Sequence, residues 1–198
     1  QWLAMMADDW PSFYHETERL ILRDWREEDW APFWEATNTP AVMQWLGGLL
    51  DEEGMDAMQL RWEGFAREFG HTFWPVERKE DGAILGFCGL KLCTDKNGPF
   101  GMMEAGWRLG EHAWGKGYAK EAAIATLDLS FGRFGADETI AITVEENSSS
   151  WGLMKRLGMK RRPELDFEDT FWNADYGDAI VYSITRTAWT MHRASFIG

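Results

Sequence analysis

The run from Met102 to Phe134 leaves this chain few ways to fold. Its first part, MMEAGWRL, alternates so that Met103, Ala105, Trp107 and Leu109 share one face of a strand. Its last part, from about Tyr118 to Phe134, carries Ala119, Ala122, Ala123, Leu127, Phe131 and Phe134 on one helical stripe. Between them stands GEHAWGKG, a glycine-containing turn that must lead the strand into the helix. Gly117 permits close backbone approach, and consecutive free N–H groups from about Gly115 to Ala119 fall at the positive end of the helix, with Lys116 adding local charge. Such a cradle suits a pyrophosphate held without a metal.

Two other phosphate loops fit less well. Gly110, Gly115 and Lys116 begin a P-loop pattern, but Gly117 stands where a magnesium-holding Ser or Thr is needed. Gly115 and Gly117 begin a dinucleotide fingerprint, but Lys120 occupies the third glycine position and no βαβ unit is evident. A turn that merely joins strand to helix is the remaining alternative. An acidic chain can still bind an anion here, because directed amides act at contact range while distant carboxylates are screened beyond roughly 8 Å at physiological salt.

Around this segment the pattern is that of a single α+β domain over residues 1–198, with a polar leader at 1–15 and a tail at 190–198. A strand is expected at about Leu20 to Arg23, then a helix over REEDWAPFWEATNTP ended by Pro40. A second helical region runs from about Asp51 to Phe69, interrupted near Gly54 and stopped by Gly70. Strands at about Thr72 to Arg78 and Ala83 to Leu92 form a hairpin through KEDG. After the glycine loop and its helix come the buried strand TIAITV, a helix from Ser148 to Leu157, and strands near Phe167 to Asn173 and Ala179 to Thr187. Helices come first and a mainly antiparallel sheet follows.

Composition narrows the partners. The 198 residues, 45% hydrophobic and 15% aromatic, suffice for a sizeable core in which most of the thirteen tryptophans are expected to pack. A net charge of −13 argues against nucleic acid or an anionic membrane as partner and favours a cationic acceptor. No apolar run approaches the roughly twenty residues of a membrane span, and QWLAMMADDW lacks the basic flank and long apolar stretch of a signal peptide. A cytoplasmic location is therefore expected. Cys88 and Cys93, in one strand, point to opposite faces and are expected to stay reduced.

Four segments in order, ETERLILRDW, WGKGYAKEA, VEENSSSWGLMKRLGM and VYSITRTAW, carry a family likeness. Over about Glu16 to Trp189 the chain resembles the GNAT superfamily of acyl-CoA-dependent N-acetyltransferases, and more narrowly the branch of ribosomal-protein N-terminal (RimJ/RimL-type) acetyltransferases and related small-amine enzymes. The resemblance implies a central mixed, mostly antiparallel twisted sheet, helices on both faces and a splay between the two central strands. It implies acetyl-CoA as co-substrate, no metal, and direct transfer in a ternary complex to a primary amine, either a small molecule or a protein N-terminus. A homodimer is left open. The superfamily loop, Arg/Gln-x-x-Gly-x-Gly/Ala, falls on Trp114, Gly117 and Ala119, and Trp114 departs from the general pattern. The cofactor-binding residues so implied are Trp107, Arg108 and Leu109 through their backbone, then Trp114, Gly115, Lys116, Gly117, Tyr118 and Ala119 in the loop, and Asn147 and Ser150 at the next helix.

Acetyl transfer needs a neutral amine beside the thioester, a donor for the developing oxyanion, and a partner for the leaving thiolate. Many relatives carry a tyrosine seven residues after the Asn that Asn147 matches; here Met154 stands there and cannot donate a proton. Ser150 becomes the catalytic candidate at the sulfur, with water as the alternative. Glu104 is the candidate base, with a structural acceptor as its alternative, and Asn147 serves equally as an N-cap. His112 reads as a surface residue. Lys155, Arg156, Lys160, Arg161 and Arg162 form either a solvated face or an attractor for the ribose phosphate of coenzyme A. The competing function is a coenzyme-A-binding module without catalysis, serving regulation or assembly.

Overall fold

The computed structural model describes residues 12–169 and 176–196. Its spine is a sheet of eight strands: β1 (Tyr14–Glu16), β2 (Leu20–Arg23), β3 (Phe73–Arg78), β4 (Ile84–Leu92), β5 (Met103–Leu109), β6 (Glu138–Thr143), β7 (Lys160–Arg161) and β8 (Ile180–Thr185). They lie in the order β1-β2-β3-β4-β5-β6-β8-β7. All neighbours are antiparallel except β5 and β6, which run parallel and pair only at Met103–Thr139 and Glu104–Ile140. Past those two pairs the strands diverge, which opens the splay at their C-terminal ends.

Six helices pack on this sheet: α1 (Trp30–Thr37), α2 (Pro40–Met43), α3 (Glu52–Phe69), α4 (Tyr118–Phe131), α5 (Ser148–Arg156) and α6 (Arg186–Arg193). Strand alternation divides the core between them. On one face, Trp30 and Phe33 of α1 and Met58 and Trp62 of α3 meet Phe73 and Phe87. On the other, Ala122, Ala123 and Leu127 of α4 and Leu153 and Met154 of α5 meet Trp74, Cys88, Leu90 and Ala105. Truncating Trp62, 2% exposed at the centre of the first cluster, should cost about 3–5 kcal/mol. Cys88 lies in the second cluster and Cys93 in a third with Ile140 and Phe167, and both thiols are free.

Several boundaries differ from the sequence expectation, each for a local reason. Pro40 ends nothing: α1 stops at Thr37, Thr39 accepts from the Val42 amide as an N-cap, and Pro40 opens α2 at the first helical position. Gly54 does not interrupt α3, because Asp51 caps the helix by accepting from the Gly54 amide. The last strand ends at Thr185, whose side chain caps α6, so residues 186–187 are helical. β1 begins inside the expected leader and ends one residue beyond it, and no strand was expected at β7. Of the strand expected at Phe167 to Asn173, Phe167 bridges Ala179, and residues 170–173 lie outside the described residues. No helix among the described residues is long and apolar enough to cross a membrane.

Candidate active site

Two parallel strands that separate, each followed by a helix, put two helix N-termini at the same end of the sheet, flanking the splay. This is where open sheets leave room for ligands. The backbone of β5 is asymmetric there. The Gly110 amide donates to Leu85 O, 2.8 Å away on the β4 side, and the two-residue period then turns the main-chain groups of Gly106 and Arg108 towards β4 as well. Ala105, Trp107 and Leu109 present theirs to the splay, where no β6 partner exists beyond Glu104. The Leu109 carbonyl is taken by the Trp114 indole N–H at 2.8 Å. Of the three strand residues expected to offer backbone to a cofactor, Trp107 and Leu109 face the opening and Arg108 does not.

The loop after β5 is built by its own contacts. Residues Glu111–Ala113 make a short 3-10 turn, and the Lys116 ammonium donates to His112 O at 2.9 Å. Gly117 stands at φ +79°, a conformation that disfavours any side chain, and is the N-cap of α4 with no side-chain cap. Among the described residues, none of the backbone amides from Gly115 through Lys120 donates a hydrogen bond. Six free N–H groups at the positive end of a fourteen-residue helix form an anion cradle. Trp114, Gly115, Lys116 and Gly117 are exposed, Tyr118 is buried beneath them and Ala119 is half-buried.

A clasp from the far edge of the sheet holds this loop. The Glu121 carboxylate accepts from Thr17 Oγ1 at 2.6 Å, the Arg19 amide at 2.7 Å and Arg19 Nε at 2.7 Å. Arg19 Nη1 donates to Lys116 O at 2.9 Å, and the guanidinium lies 4.4 Å from the centre of the Tyr118 ring. Burial alone pushes the Glu121 carboxyl up, but its hydrogen bonds from Thr17 and Arg19 outweigh that and hold it below the usual glutamate value. Sequence reading passed over this network. Its members are about a hundred residues apart, and only the opposite charges inside ETERL and YAKEA hinted at it.

On the other side of the splay, Asn147 caps α5 by accepting from the Ser150 amide at 3.4 Å. Ser150 is half-buried and its hydroxyl makes no hydrogen bond among the described residues. Met154 is 1% exposed and packs in the main core. Glu104 sits at the root of the splay, on the sheet face opposite Trp107, and its Oε2 is paired with Lys91 Nζ at 2.6 Å. Its other oxygen has no partner among the described residues. Of the basic cluster, Arg161 pairs with Asp166, Arg162 with Glu138 and Glu164, and Lys155 lies over the Trp151 ring. His112 is exposed.

One feature of the first face was not legible in the sequence. Arg108 projects among the aromatic side chains of α1, α3 and β4, 5.1 Å from the Phe87 ring centre and 5.9 Å from that of Trp62. It is 7% exposed, and Nε and Nη1 are closed to solvent without a hydrogen-bond partner. Burial pulls the guanidinium down to about 10.

The end of the sheet thus joins a parallel pair that splays, a free-amide helix N-terminus after one strand and a capped helix after the other. Comparison with known proteins gives the family. The acetyltransferase (GNAT) domain family matches residues 19–160, and the chain belongs to that family. An uncharacterized N-acetyltransferase of Bacillus subtilis, YnaD, is 29% identical over 73% of this chain and 81% of its own. A GNAT-family acetyltransferase structure from Bacillus anthracis superposes with a TM-score of 0.72, at 25% identity over 88% of this chain and 99% of that one. A putative ribosomal-protein-serine acetyltransferase from Vibrio cholerae shares the fold, with a TM-score of 0.70 and 19% identity over 87% and 97% of the two chains. The protein is thus an acyltransferase of GNAT fold, and acetyl-CoA is the acyl donor used generally by that fold.

Proposed function

We propose that this protein transfers an acetyl group from acetyl-CoA directly to a primary amine in a ternary complex. The observation that carries the reading is the row of six free amides at the N-terminus of α4, set at the mouth of the β5–β6 splay. The chain fits the co-substrate without a metal: the amides from Gly115 to Ala119, with Lys116 and Tyr118 framing them, suit the pyrophosphate, and the open edge at Trp107 and Leu109 suits the pantetheine amides. Trp114 closes the strand end, and Asn147 orders the turn beside it. When bound, acetyl-CoA supplies the activated acyl group; everything else is the work of side chains and backbone.

Within that reading, the Ser150 hydroxyl is the hydrogen-bond partner of the leaving sulfur, since Met154 is chemically unsuited and packed away. Glu104 is the base, its unpaired oxygen receiving the amine proton through water while Lys91 holds the other. The acceptor arrives protonated, as a small amine or a protein N-terminus, drawn by a net charge of −13. The kinship in fold with a ribosomal-protein acetyltransferase supports the second option, and the closed aromatic face beside the splay supports the first. Initial rates measured over both substrates test direct transfer: intersecting double-reciprocal lines are expected, and parallel lines would indicate an acetylated enzyme instead.

A further inference from the structure

Among the described residues three cationic side chains are buried: Arg23, Lys91 and Arg108. Two are neutralised on the spot. Arg23 donates to Asp29 at 2.7 and 2.9 Å and to Glu77 at 2.7 Å, and Lys91 donates to Glu104 at 2.6 Å. Arg108, equally enclosed, has among the described residues neither a carboxylate nor any hydrogen bond. A fold that compensates its other buried cations so fully leaves one fork of N–H donors open, and an uncompensated buried charge is costly to keep. Phe87 and Trp62 give it only ring faces at 5.1 and 5.9 Å. Nε and Nη1 are closed to solvent, so a ligand must approach through Nη2.

Position separates this donor from the cofactor's phosphates. Arg108 is the penultimate residue of β5, at the splayed end, but its side chain lies on the α1–α3 face, whereas the free amides belong to α4 on the opposite face. An anion at Arg108 therefore lies on the α1–α3 face, across the sheet from the free amides. We propose that Arg108 is a specificity-determining residue that binds a carboxylate on the acceptor, so that the amine substrate is a small zwitterion. A carboxylate is the counter-charge this guanidinium lacks, and the nearby Phe87 and Trp62 rings make an aromatic acid a suitable probe. This inference rests on the amine-acetyltransferase reading above and narrows its acceptor.

Two measurements keep the two ideas separable. In the first, ligand-observed NMR titrates the protein, saturated with coenzyme A, with phenylacetate and with phenylacetamide, and needs no turnover. The acid should bind at least about tenfold more tightly than the amide, the worth of one charged hydrogen-bond pair; equal binding overturns the inference even if every amine is acetylated. In the second, kcat/KM is compared for phenylalanine and phenylalaninamide with the wild type and with Arg108→Gln. The wild type should favour the free acid by about 10- to 100-fold, and the variant should reduce that ratio to within about threefold. A variant that loses rate equally on both acceptors assigns Arg108 to the transition state, and one that loses affinity for acetyl-CoA assigns it to the cofactor; either overturns the inference. Should Arg108→Gln not fold, the wild-type acid-to-amide ratio still decides. Absence of thiol release from any amine, beside tight phenylacetate binding, would instead count against the acetyltransferase reading alone.

Discussion

Replacing Glu121 by Ala should destabilise the protein and loosen the glycine loop together. The change removes the acceptor for Thr17 Oγ1, the Arg19 amide and Arg19 Nε. The Glu121 side chain is 17% exposed, so its two bonds from Thr17 and the Arg19 amide count as bonds to a shielded charge, about 1.5 kcal/mol each at the low end. The Arg19 side chain is 41% exposed, so the ion pair adds little after solvent screening. The expected loss is about 3 kcal/mol at pH 7, or a fall in Tm of about 6–12 °C for a chain of this length. The pH dependence gives the sharper check. The folded Glu121 carboxyl lies below its ordinary value of 4.5, so its contribution is complete above that value and is lost as pH falls through the folded one. Thermal denaturation of wild type and Glu121→Ala should show a wide Tm gap at pH 7 that narrows on acidification below 4.5. A gap under about 2 °C at pH 7, or one that does not narrow at all as pH falls below 4.5, would refute the clasp.

Other perturbations address the proposed chemistry. Gly117→Trp strains a position at φ +79° by about 1–2 kcal/mol and fills the approach to the free amides, so the variant should fold yet bind acetyl-CoA at least about 100-fold more weakly by calorimetry. Ser150→Ala should lower kcat by about 10- to 1,000-fold while acetyl-CoA affinity changes little; full turnover would leave water as the sulfur's partner. Turnover of the best amine should rise with pH as the acceptor's ammonium deprotonates, and a rate indifferent to pH would exclude an acceptor that arrives protonated.

Much of this architecture was legible because its signals are local. The alternation of β5 and the apolar stripe of α4 are complete within their own segments, and Gly117 lies between them in the one conformation that glycine favours. Short or capped features were harder. β1 is a three-residue edge strand, with Tyr14 and Glu16 exposed and no alternation long enough to detect, and Thr39 and Thr185 act as caps only because neighbouring chain turns there. The site divides in the same way. Asn147 and Ser150 are three residues apart on one helix start, so their relation is written in the sequence. The pairing of Glu104 with Lys91, the clasp of Arg19 on Glu121 and the isolation of Arg108 are tertiary facts. An arginine in an alternating strand gives no sign of whether a carboxylate awaits it, and its main chain turns towards β4 only because of the ladder direction set at Gly110.

Release of free thiol from acetyl-CoA over a panel of amines, with the product identified by mass spectrometry, bears most directly on the central claim. Release that depends on both protein and amine, with a mass gain of one acetyl group on the amine nitrogen, is the expected result. Saturable binding of acetyl-CoA without release of thiol for any amine would contradict it and leave a coenzyme-A-binding module in its place.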